Sequence, residues 1–142
     1  MSFDFTKPQL IPLPEICDER GVKVLGFVEP DTNCPFAIQR VYYMYDFPVR
    51  LDRGHHAHRQ CHRQLVALAG KVEVELESEH ERWSFTLESP GMSLFVPAPC
   101  WIVYRALEEG TVLMAMASEK FDEADYIRDY EEFKRHEHPS QR

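Results

Sequence analysis

Short runs in which apolar and polar residues alternate recur along the chain, separated by Pro, Gly and acidic residues. This pattern predicts many short strands rather than long helices. The clearest run is Val72-Glu73-Val74-Glu75-Leu76, with apolar residues on one face and glutamates on the other. Residues 10–13, 22–28, 38–45, 83–87, 93–96, 101–105 and 111–117 read as further strands. The polar turn 77–81 makes 72–87 a hairpin, and Ser89-Pro90-Gly91 turns the chain into the next strand. The tail differs, because Tyr126, Ile127, Tyr130 and Phe133 follow helical spacing behind the acidic opening Asp122-Glu123-Ala124-Asp125. Residues 136–142 are polar and are expected to fray. The prediction is an all-β barrel or sandwich with a short C-terminal helix, spanning residues 1–142 as one domain.

Composition narrows the function more than the fold. The 142 residues are 44% hydrophobic, enough for one packed core. A formal net charge of -8 argues against nucleic acid as a partner, since backbone binding needs clustered Lys and Arg. It leaves room for a local arginine cluster that holds one small phosphorylated ligand. Cys17, Cys34, Cys61 and Cys100 are scattered without a Cys-x-x-Cys pair, as expected of reduced thiols in a cytoplasmic protein. No segment approaches the roughly 20 apolar residues of a membrane helix, so no membrane association is expected.

Candidate chemistry concentrates in residues 53–64. On a strand, His56 and His58 point to one side and His55 and Ala57 to the other. Two converging imidazoles either bind a transition metal or move protons. Upstream, Arg40, Tyr42 and Met44 share one face of a strand. An inward Arg needs an anion, whether a ligand phosphate or carboxylate or a neighbouring acid. Tyr42 suits either proton donation to a ligand or aromatic core filling.

Residues 54–70, Gly-His-His-Ala-His-Arg-Gln-Cys-His-Arg-Gln-Leu-Val-Ala-Leu-Ala-Gly, resemble the first signature of the cupin barrel. That resemblance implies a double-stranded β-helix, or jelly roll. Gln64 stands at the expected place of the third metal ligand. In the second signature, Gly91 through Pro97-Ala98-Pro99, Ile102 stands where the last ligand histidine is expected. With two of four ligand positions lost, no catalytic metal is expected.

A closer resemblance follows from Asp18-Glu19-Arg20-Gly21, then Pro35 through Arg40-Val41-Tyr42-Tyr43, then Arg53-Gly54-His55-His56-Ala57-His58. The ending Val112 to Ser118 with Tyr126-Ile127-Arg128-Asp129-Tyr130 agrees. In this order the motifs resemble the sugar 3,4-ketoisomerases, metal-free cupins that act on dTDP-4-keto-6-deoxyglucose en route to 3-amino-3,6-dideoxy sugars. The resemblance implies a dTDP-linked keto sugar as partner, no cofactor, and a homodimer that exchanges N-terminal strands. It implies His56 as base, His58 as its partner and Tyr42 as donor. Arg40, Arg53, Gln64, Trp101, Tyr104 and Arg105 are the candidate substrate contacts. His55, where the family commonly has Phe, and Ile102, where it often has His, depart from the pattern. A nucleotide-sugar epimerase and a non-catalytic sugar-nucleotide binder are the competing readings.

Overall fold

A computed structural model describes residues 3–135. Two five-stranded antiparallel sheets face one another. The first runs β1 (Gln9–Pro12), β9 (Met92–Val96), β6 (Arg63–Ala69), β11 (Val112–Ala117), β4 (Arg40–Met44). The second runs β12 (Tyr126–Ile127), β5 (Arg53–His58), β10 (Trp101–Ala106), β7 (Val72–Glu77), β8 (Arg82–Leu87). A separate hairpin pairs β2 (Glu15–Cys17) with β3 (Lys23–Gly26). This is the expected jelly-roll barrel.

Alternation builds the core. Val72, Val74 and Leu76 are buried, while Glu73, Glu75 and Glu77 turn outward. Leu65 and Ala67 from β6, Leu113 and Ala115 from β11, and Ile102 and Ala106 from β10 meet them inside the barrel. Burial of this apolar surface is the main favourable term holding the two sheets together.

Position 54 bends β5 where the site begins. Gly54 pairs with Val103 and His56 with Ile102, so His55 is an unpaired extra residue. Gly54 has φ 92° and His55 φ 55°, the left-handed geometry of a bulge. A Cβ at Gly54 would stand 2.8 Å from the Ile102 carbonyl and 3.0 Å from the Tyr104 ring, so only glycine fits. The extra residue also resets the alternation. Arg53 now sits opposite inward-facing Tyr104, on the same side as His56.

The tail is only partly as predicted. Residues 130–135 form α1 (Tyr130–Arg135), but Glu123–Asp125 is a 3-10 turn and Tyr126–Ile127 is a strand. Tyr126 pairs with His58 and Ile127 with Ala57, so long-range pairing overrides the local helical spacing. The expected fraying of residues 136–142 lies outside the described residues. No helix among the described residues is long and apolar enough to cross a membrane, and the four cysteines form no disulfide.

Candidate active site

Between the two sheets lies a cavity of about 280 Å³. His56, Arg53, Ile102 and Tyr104 line it from β5 and β10; Tyr42, Met44, Arg63, Leu65 and Leu113 line it from the facing sheet. Tyr126 and Arg128, brought in by β12, complete the wall. His58 packs directly behind. Its ring centroid is 5.3 Å from His56 and 4.3 Å from Tyr126.

Both imidazoles are held in defined orientations. His58 Nδ1 donates to Asp125 Oδ2 at 2.9 Å, which leaves Nε2 as the ring's lone-pair nitrogen. Asp125 is itself fixed, because its carboxylate also accepts from the Gln60 and Cys61 backbone amides at 2.8 and 3.3 Å. Arg59 N–H donates to its carbonyl. His56 bonds to the Gly54 backbone, and its Nε2 lies 3.5 Å from Arg63 Nη1.

Electrostatics favour the neutral form of both rings. Burial, then the charge of Arg63, lowers His56 from 6.5 to about 4. The same two causes lower His58 to about 2. Burial raises Tyr42 and Tyr104 above the ordinary phenol value, so both remain hydroxyl donors. Neutral imidazoles accept protons, and protonated phenols give them. The cavity therefore holds a base and acids at neutral pH.

The predicted site residues divide between this cavity and other faces. His56, Tyr42, Arg53 and Tyr104 line it, with His58 behind. Arg40 is half-buried at the rim, its guanidinium 5.0 Å from the Tyr42 ring and 5.7 Å from Phe121. Three residues are not brought in. Gln64 points to the opposite face of β6, where its amide nitrogen donates to the Asn33 carbonyl and Ser93 Oγ at 2.8 and 2.9 Å. Its neighbour Arg63 faces the histidines instead, since adjacent strand residues alternate. Trp101 lies on the outer face of β10 and packs on Tyr130 and Phe133 at 5.3 and 5.7 Å, anchoring α1. Arg105 is on that outer face too, clamped by Asp52, Glu73 and Glu75, whose carboxylates raise its pKa further.

Sequence reasoning passed over Arg63, Asp125, Tyr126 and Arg128. Parity along β6 relative to Leu65 would have found Arg63. The other three come from a segment whose partner strand is some 70 residues away in sequence. Side-chain donors of His58, Cys61 and Asp125 lie within 4.8 Å of one another. The carboxylate of that set is already satisfied by an imidazole and two amides, and Cys61 Sγ contacts the His62 carbonyl at 3.4 Å.

Known proteins resemble this chain over nearly its whole length. Residues 6–138 match the family described as FdtA: WxcM-like, C-terminal. A TDP-4-oxo-6-deoxy-alpha-D-glucose-3,4-oxoisomerase from Aneurinibacillus thermoaerophilus is 37% identical over 128 residues, 90% of this chain and 91% of that protein. The crystal structure of QdtA, a sugar 3,4-ketoisomerase from Thermoanaerobacterium thermosaccharolyticum in complex with TDP, superposes with a TM-score of 0.84. It is 34% identical, covering 92% of this chain and 93% of that one. WlaRB, the TDP-quinovose 3,4-ketoisomerase from Campylobacter jejuni, gives 0.85 at 30% identity, covering 92% and 99%. Fold and cavity thus define a cupin-type isomerase. The chain belongs to the FdtA family, and it is an isomerase that exchanges a keto group with a neighbouring hydroxyl.

The Asp125 contact predicts a specific consequence of Asp125→Asn. Whichever way the amide turns, its NH₂ must face either the His58 N–H or a backbone N–H. A loss of about 1–3 kcal/mol is expected in urea unfolding, together with loss of the pure Nδ1–H tautomer of His58 in ¹⁵N NMR. An unchanged unfolding midpoint and an unchanged spectrum would contradict the positioning role.

Proposed function

We propose that this protein converts dTDP-4-keto-6-deoxyglucose into a dTDP-3-keto-6-deoxyhexose during deoxyamino-sugar biosynthesis, through an enediolate and without a metal. One observation carries the reading. An imidazole held neutral at physiological pH, His56, faces a cavity that also presents hydroxyl donors and guanidinium groups, with a second neutral imidazole, His58, packed behind it. Removing the C3 proton beside a C4 ketone needs a neutral base, and charge then develops on oxygen.

His56 takes the C3 proton, because it lines the cavity while His58 lies behind it. The electron pair forms the C3–C4 double bond, and the carbonyl π pair moves to O4. Return of the proton to C4 and passage of the O3 proton to O4 complete the exchange. Tyr42, kept protonated by burial, donates to a sugar oxygen. His58, with its tautomer set by Asp125, orients His56 or relays the proton. Arg53 and Arg128 are exposed at the cavity wall and suit the two charged phosphates of the nucleotide. Tyr104 lies deeper, its hydroxyl 3.0 Å from Met44 Sδ, and suits a sugar contact.

The working form is a cytoplasmic homodimer with exchanged N-terminal strands. Supporting this, β4 is an edge strand whose outward Val41 and Tyr43, with Tyr45 just beyond its end, are 53, 64 and 62% exposed. Ile16 and Leu25 of the β2–β3 hairpin are about half exposed as well. An exposed apolar edge of this kind is normally covered.

Incubation with dTDP-4-keto-6-deoxyglucose in deuterated water, with chelator present, is expected to give a 3-keto product with deuterium at C4 by NMR. His56→Asn should reduce turnover by about 10²–10⁴-fold while preserving the melting temperature. No reaction, or exchange at C5 alone, would overturn the proposal. Sedimentation should give twice the chain mass, and a monomer at working concentration would overturn the dimer.

A further inference from the structure

Arg63 is the most deeply buried cation of the described residues, only 2% exposed. Its Nε and Nη2 have no hydrogen-bond partner, and its Nη1 reaches His56 Nε2 only at the 3.5 Å limit. No ion pair to Arg63 occurs among the described residues. Arg105, half-buried on the outside, has three carboxylates. A chain with 24 acidic residues against 16 basic ones thus clamps its outer arginine and leaves the inner one open.

An uncompensated buried charge is costly, and a guanidinium cannot shed its proton to escape the cost. The surroundings do not soften it. In the register of the sheet, Arg63 lies opposite Ala117 on one side and Val96 on the other, neither of which has a polar side chain. Across the barrel it meets His56, where Ile102 offers no ligand atom. Arg63 lines the cavity that holds the base, and a planar fork of N–H groups with Nε and Nη2 unpaired there suits an anion with adjacent oxygens.

We propose that Arg63 is the electrophile of this site, binding the developing O3 and O4 charges of the enediolate as a fixed organic cation. This rests on the ketoisomerase reading for its substrate, but the anion site itself does not depend on it. As the C4 carbonyl becomes an oxyanion, the free Nε–H and Nη2–H donate to it. When the electron pair returns to form the C4–H bond, those donors are released. The charge that a metal would bring to such a barrel is then supplied by the protein's own side chain.

Two measurements test this on the intact protein. The first compares kcat and KM of wild type and Arg63→Met on dTDP-4-keto-6-deoxyglucose. The second uses calorimetry with oxalate, a planar dianion whose adjacent oxygens mimic an enediolate. Arg63→Met is expected to lower kcat by about 10²–10³-fold, change KM less than about fivefold, and weaken oxalate binding at least about tenfold. Because it removes an unpaired buried charge, it should melt no lower than wild type. A kcat within about threefold of wild type, unaltered oxalate affinity, or a lower melting temperature would each overturn the role. A wild type that binds oxalate through Arg63 but does not isomerise the sugar would sink the ketoisomerase reading while sustaining the anion site.

Discussion

The site depends on one constraint, namely that two imidazoles stay neutral beside a buried, unpaired guanidinium. Burial penalises the imidazolium form, and the charge of Arg63 adds to that penalty for both His56 and His58. Neither histidine alone would be unusual. Together with Arg63 they form a site in which positive charge is permanent on one group and excluded from its neighbours. That division suits proton abstraction next to a carbonyl, since the base must be neutral and the product of its action is negative.

The fold supplies this arrangement through local devices that each serve the cavity. The Gly54–His55 bulge turns Arg53 and His56 to the same side of β5. Pairing of β12 with β5 delivers Asp125 to His58 and Tyr126 to the cavity wall, and the Trp101–Tyr130–Phe133 cluster holds that tail against the sheet. On the opposite sheet, small Ala117 of β11 pairs with Arg40 of β4 on one side and Arg63 of β6 on the other, so the two arginines lie one strand apart. Outside, Arg105 ties β10 to β7 and to Asp52. The outer face carries stability, and the inner face carries chemistry.

Much of this was legible in the sequence. Alternation at Val72 to Leu76 gave a half-buried strand, and the His-x-His pair facing one side followed from strand geometry alone. The errors were errors of parity. Taking Gln64 as the third ligand position instead of its neighbour moved attention to the wrong face, because a one-residue slip inverts every side chain. With Ile102 and Tyr104 facing inward, alternation along β10 turns Trp101 and Arg105 outward. The bulge at Gly54 breaks parity in the other direction, and the register against β10 and the positive φ of two successive residues reveal it. Asp125 and Tyr126 were hidden for a different reason. Their short strand is defined by a distant partner, and helical spacing in the tail masked it.

The central claim is that His56 and His58 are neutral throughout the physiological range because burial and Arg63 lower their affinity for protons. The most direct measurement is an NMR pH titration of the two imidazoles in the free protein. His56 is expected to titrate near pH 4, with His58 still neutral at that point. Folded values below the unfolded 6.5 also mean that acid must favour the unfolded chain between those limits, since it binds more protons there. Either histidine titrating at 6.5 or above would contradict the account.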